Sequence, residues 1–197
     1  MGTLSAYSIV AEDDIILQGD IFKNITYIYK TEENENYVDV TELTFPYGII
    51  VSQACDVKAM NELTISNDIN ITKFMPSILI VPIYDKDVYK TGAFVDNVYD
   101  NIYTSMKRGV MYTSDEFKII NNDYHYRFHY LKLKKEEKEN NIIFPEEAII
   151  DFKHYFSLCP EYLMNIRKNR ICRLEPLYSE QITLRFTTYL SRVAIPD

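Results

Sequence analysis

GIIVSQ (48–53) and SILIVPIY (77–84) are near-continuous apolar runs. Runs without polar alternation are what strands buried on both faces, or inside a barrel, require. Both fall far below the ~18–20 apolar residues of a membrane-spanning helix. Between them, residues 54–72 form a polar excursion with a helical start. Upstream, DIFKNITYIY (20–29) alternates and is rich in β-branched and aromatic residues, and TEENEN (31–36) reads as a turn leading into YVDVTELTF.

Downstream, Val95, Val98, Tyr99, Ile102 and Met106 fall on one stripe of a helix over 93–107, with Gly109 as its stop signal. YHYRFHYLKL (124–133) alternates as a strand, with His125, Arg127 and His129 on one face and Tyr126, Phe128 and Tyr130 on the other. AIIDFKHYFSL (148–158) and RICRLEP (170–176) are further strands. From Pro176, the residues Tyr178, Ile182, Phe186, Tyr189, Leu190 and Val193 make one apolar helical face, closed by Pro196. Seven or so strands with two or three helices, including this C-terminal amphipathic helix, predict an α+β fold. Its centre is expected to be a strongly curved antiparallel sheet or a small SH3-like barrel. No repeat or linker interrupts the chain, which reads as a single globular domain over 1–197.

Charge narrows the partners. Lys and Arg number 21 against 29 Asp and Glu, a net charge of −8. General nucleic-acid binding is not expected from that balance, because phosphate contact needs a basic stripe. The one dense basic stretch, KLKKEEKEN (132–140), is interrupted by three glutamates and reads as a solvated hairpin tip or helix end. A small basic cleft inside an acidic shell stays open. The cysteines Cys55, Cys159 and Cys172 are odd in number and have no C-x-x-C spacing, which points to a reducing, cytoplasmic setting. The start MGTLSAYSIV lacks a charged n-region and a long apolar h-region, so no signal peptide is expected. No membrane contact is expected, and self-association into a homo-oligomer is left open. Seventeen tyrosines and ten phenylalanines suit a protein–protein interface or ordinary strand filling.

Gln53, Cys55 and Asp56 follow the buried run at a strand end, a common mount for binding residues. The carboxylate beside Cys55 would raise its thiol pKa, which argues against a nucleophile. Asp56 is better placed as an N-cap for 57–63, and the trio reads as a turn, a cap or a binding site. His125, Arg127 and His129 are the candidate catalytic residues. Arginine holds phosphate bidentately and histidine titrates near neutrality, although a half-exposed polar face would look the same. His154 stands alone. No metal site is expected, because His125 and His129 lie ~13 Å apart along a strand. No Gly-rich phosphate loop, G-x-S-x-G or H-E-x-x-H occurs, so no cofactor is expected.

GDIF (19–22), GIIVSQACDV (48–57), ILIVPIYD (78–85) and RLEPLYSEQITLRFTTYLSRVAIP (173–196) together carry a resemblance. They resemble an uncharacterised bacterial family with a strand ending Ser-Gln-x-Cys-Asp and a terminal Pro-x-Tyr-x-Glu…Phe…Ser-Arg-Val helix. Such proteins occur on mobile elements and near phage-defence genes. The order Gly-Asp-Ile, apolar strand, Val-Pro-Ile is also similar to the MazF/PemK-type toxin barrel. That family cleaves RNA with a basic residue before its second strand and a hydroxyl after the Pro-Ile run. Here Pro46-Tyr47 and Tyr84-Asp85 stand at those places. The net charge of −8 and the lack of a catalytic motif, with the setting of the first family, lead to the expectation of a non-enzymatic accessory protein of a bacterial or phage conflict system, docking a partner protein encoded by a neighbouring gene through tyrosine-rich strands or the helix 177–194. The alternative is a divergent MazF-like endoribonuclease, with Arg127 holding phosphate and His129 or His125 as acid/base.

Overall fold

In the computed structural model, residues 6–65, 71–100, 102, 113–133 and 144–192 are described. The strands are β1 (Tyr7–Ser8), β2 (Asp20–Glu33), β3 (Val38–Ile50), β4 (Ile78–Asp85), β5 (Phe128–Lys132), β6 (Glu147–Asp151), β7 (Phe156–Leu158) and β8 (Arg170–Leu174). The helices are α1 (Ala54–Ile65), α2 (Lys86–Thr91), α3 (Ala93–Tyr99), α4 (Ser114–Asn121), α5 (Pro160–Asn165) and α6 (Pro176–Leu190).

The strands form one antiparallel sheet in the order β1-β8-β2-β3-β4-β6-β5, with β7 also on β4. It is the expected α+β architecture, curled into a half-barrel. Among the described residues β1 and β5 do not pair, so the sheet stays open. Both faces are covered, which explains the unbroken apolar runs. Phe22, Ile50, Ile78, Ile80 and Tyr84 pack on one side with Val57 and Met60 of α1, Tyr89 of α2 and Val98 of α3. On the other, Ile21, Ile49, Val81, Ile83 and Ile150 meet Ile182 and Phe186 of α6.

Two devices set the curl. Gly19 has φ +86°, and a Cβ there would stand 2.8 Å from the Cβ of Ser179, so a side chain would lift α6 off the sheet. Asn24 has φ +52°, a left-handed conformation rare outside glycine, and lies opposite Pro46. Proline has no N–H for the ladder, and at this point the pairing of β2 and β3 skips a rung. On either side of the skip the same cluster takes Phe22 and then Ile25, side chains three residues apart that an unbroken strand would point to opposite faces.

YVDVTELTF and GII are therefore one strand of 13 residues across Pro46. Beyond the kink, β2 and β3 continue as a hairpin paired only with each other, exposing Ile28, Val38 and Val40. The acidic GDIF segment is structural as well. Asp20 is fully buried and accepts from Arg173 Nε at 2.6 Å and Arg170 Nη1 at 3.0 Å. Arg170 also ties down the carbonyls of Ala11, Glu12, Asp14 and Ile15.

The helix predicted over 93–107 starts at Ala93 as α3 and runs to Tyr99 among the described residues, and Gly92, at φ +77°, separates it from α2. Met106 and Gly109, most of KLKKEEKEN, and Val193 and Pro196 lie outside the described residues.

Candidate functional site

The β3–α1 junction mounts Gln53, Cys55 and Asp56. The carbonyl of Gln53 accepts from Asp56 N and Val57 N, both at 3.1 Å, and thereby starts α1. Asp56 is not the cap expected from sequence. The helix begins at Ala54, and Asp56 sits in its first turn, where a carboxylate complements the helix dipole. Cys55 is exposed, with Sγ 3.6 Å from Asp56 Oδ1. Ser52 is buried, its Oγ accepting from Leu79 N at 2.8 Å and extending the contact between β3 and β4.

All three candidate binding residues line one groove of about 750 Å³, whose opposite wall is α6. Leu79 and Phe186 contribute apolar surface, Leu184 and Leu190 stand exposed on the α6 side, and Asp56 and Glu180 are the charged residues. Among the described residues, no lysine, arginine or histidine lines it.

His125, Arg127 and His129 do not form the expected polar row. Only Phe128–Lys132 is a strand, and residues 124–127 belong to the turn that precedes it. Asp123 has φ +58°, and the α6 residue Arg185 clamps the turn by donating to the carbonyls of Asp123, His125 and Phe128 at 2.9, 3.2 and 2.7 Å. The alternation was therefore a property of a turn. His129 is buried, with Nδ1 3.2 Å from Asp123 Oδ1. Burial raises the Asp123 pKa, but the His129 contact, the Tyr130 N–H and Arg185 bring it below its ordinary value. His125 stacks on Tyr126 and Phe128, and its Nδ1 accepts from Arg127 N at 3.2 Å. Burial first, then the Arg127 charge, lowers its pKa. Arg127 holds Asp151 bidentately, Nε to Oδ1 at 2.7 Å and Nη2 to Oδ2 at 2.6 Å. None of the three lines the groove that holds Gln53, Cys55 and Asp56.

Asp151 is the hub of a network that sequence reasoning missed. It is fully buried, takes a hydrogen bond from Tyr89 Oη at 2.9 Å and lies 3.1 Å from His154 Nδ1. Tyr84 Oη is 3.4 Å from that nitrogen and 3.5 Å from Tyr99 Oη. Burial pushes the Tyr99 phenol up to about 12, opposed in part by the Tyr84 hydrogen bond and the Arg127 charge, and burial reinforced by Tyr99 raises Tyr84 well above its usual value. Burial also lowers His154, outweighing the pull of Asp151. At neutral pH both phenols and the imidazole are uncharged, and the Arg127 guanidinium engages both oxygens of Asp151. The available signal was one acid in the apolar run AIID.

A second cavity, about 280 Å³, opens where β3 diverges from β4 beside the kink. Pro46, Tyr47, Tyr84 and Asp85 line it together, so the four residues at the two places compared with the toxin barrel meet at one site. Tyr47 is raised by burial and then by the Asp85 charge. Its described lining contains no basic residue of the kind that phosphate binding needs.

Among the described residues no three His, Cys, Asp or Glu side chains gather in a way that could hold a metal, and no helix is long and apolar enough to cross a membrane. No protein-family model and no curated protein matches this chain.

Proposed function

We propose that this protein is a non-enzymatic docking module of a bacterial or phage conflict system, receiving a segment of a partner protein in the groove between the β3–α1 junction and α6. The observation that carries the reading is the convergence of Gln53, Cys55 and Asp56 with Leu184 and Leu190 on that groove, which is several times larger than a single side chain. The partner segment is amphipathic. Apolar side chains meet Leu79, Leu184 and Leu190, and Lys or Arg meets Asp56 and Glu180, matching an acidic rim on a chain of net charge −8. The ribonuclease alternative is less well supported, because Arg127, His125 and His129 are all engaged in internal contacts.

Co-expression with the products of flanking genes, followed by light scattering and calorimetry, tests the reading. A stable complex is expected, weakened about tenfold or more by Leu184→Glu, as for a central apolar anchor. Absence of a complex with every such product, or RNA hydrolysis that stays with the folded protein through successive purification steps, overturns it.

A further inference from the structure

We propose that the cavity beside the Asn24–Pro46 kink binds a cationic group, an alkylammonium or a guanidinium. It shares no residue with the α1/α6 groove. Leu79 lines the groove and Asp85 the cavity, six residues further along β4, or about 20 Å at ~3.3 Å per residue. The two readings therefore stand on separate surfaces.

The chemistry of the lining selects the charge. Among the described residues, Asp85 is the one acidic or basic residue in its lining. Asp85 Oδ1 is used, accepting from Asp87 N at 2.8 Å and Val88 N at 3.0 Å as the cap of α2. Oδ2 accepts no hydrogen bond among the described residues. The adjacent Lys86 is held away by its ion pair with Glu147, and Lys23, across the ladder from Tyr47, is not part of the lining. An anion placed here would meet an uncompensated carboxylate, whereas a cation would complete it.

The neutral residues fit the same ligand. Tyr47, Tyr84 and Phe94 supply aromatic surface, and Phe94 is braced by its stack on Tyr89 at 4.6 Å. Aromatic rings attract ammonium and guanidinium through their quadrupole. The side chains of Asn24, Thr44 and Asn97 also line the cavity without a side-chain hydrogen bond among the described residues, leaving oxygens to accept from N–H donors. At about 280 Å³ the space lies just under the ~300–1,000 Å³ of drug-sized pockets, which suits one long cationic side chain or a small amine. Asn24, left-handed at φ +52°, and Pro46 both line the cavity, and left-handed backbone at non-glycine residues concentrates at binding sites.

The ligand has two possible sources, a free amine or a Lys/Arg side chain of a protein, and calorimetry with paired probes separates them. Agmatine and cadaverine represent the free amine. Glycine/serine peptides carrying one internal Lys or Arg represent the side chain, with Nε-acetyl-lysine and citrulline peptides as uncharged controls. Charged probes of one kind or both are expected to bind at least about tenfold more tightly than uncharged ones. Asp85→Asn is expected to abolish that preference while keeping α2, because asparagine caps a helix as well as aspartate does. Leu184→Glu, which disrupts the groove, should leave it unchanged. Binding by free amines alone assigns a metabolite, and binding by peptides alone assigns a protein side chain. Equal affinity for citrulline and arginine probes, undiminished binding in Asp85→Asn, or no binding of any charged probe at millimolar concentration overturns the proposal.

Discussion

Arg127 and Asp151 face each other across the β5–β6 edge in a two-point contact, with both carboxylate oxygens engaged and the carboxylate wholly removed from solvent. An arginine in that position is a structural counter-ion. Removing it leaves a buried charge uncompensated, and that costs far more than the pair itself contributes.

Arg127→Ala is accordingly expected to destabilise the fold by about 3 kcal/mol or more. Arg127→Lys should recover only part of this, since an ammonium cannot reproduce the fork. Urea unfolding of both variants checks it. A stability within experimental error of the parent would mean that Asp151 is satisfied without its arginine.

The second expectation concerns pH. His154 has a folded-state pKa below its ordinary 6.5, chiefly through burial. The unfolded chain then binds the proton more readily than the folded one, so the stability it contributes is full above about 6.5 and is lost as pH falls through the folded value. His125 is shifted in the same direction, more weakly coupled because it is partly exposed. Thermal unfolding from pH 7.5 to 5 should show falling stability, and His154→Gln should flatten the slope. An identical slope in the variant would place the titration elsewhere.

Gly19→Ala should destabilise by about 2 kcal/mol, combining a disfavoured positive φ with a clash against Ser179. Ser179→Gly in the same chain should relieve the clash and leave the backbone strain, which a double-mutant cycle resolves. Additive effects would mean that the two positions do not touch.

Thiol chemistry gives an independent check on the packing. Cys55 and Cys159 are exposed and Cys172 is buried. Native protein should react with a maleimide at the first two and spare the third until denaturant is added. Mass spectrometry locates the adducts, and rapid native labelling of Cys172 would contradict the packing of β8.

Much of the fold was legible because it rests on periodicity. The runs 48–53 and 77–84 lack polar alternation for the reason inferred, a sheet covered on both faces. Ile182 and Phe186 anchor the terminal helix as their spacing required, although Leu190, assigned to the same face, is 49% exposed. Two signals were present and unread. Thr113 and Glu116 form a capping box at the start of α4. Pro46, which looks like a strand boundary, is where one strand bends. The site was legible only in part. Gln53, Cys55 and Asp56 do share a groove, but the groove depends on α6, more than a hundred residues away, and no local pattern encodes that meeting. The polar row failed for the opposite reason: YHYRFH alternates in sequence while its backbone turns.

The buried grip of Arg170 and Arg173 on Asp20 joins groups about 150 residues apart, and β1 pairs with β8 as well. During translation, the leading segment emerges long before its counterpart is made. Until β8 and α6 leave the ribosome, the edge of β2 is bare and the face carrying Ile21 and Ile49 has no helix to cover it. An incomplete chain therefore leaves that edge and that apolar face uncovered, the kind of surface through which partly made chains associate.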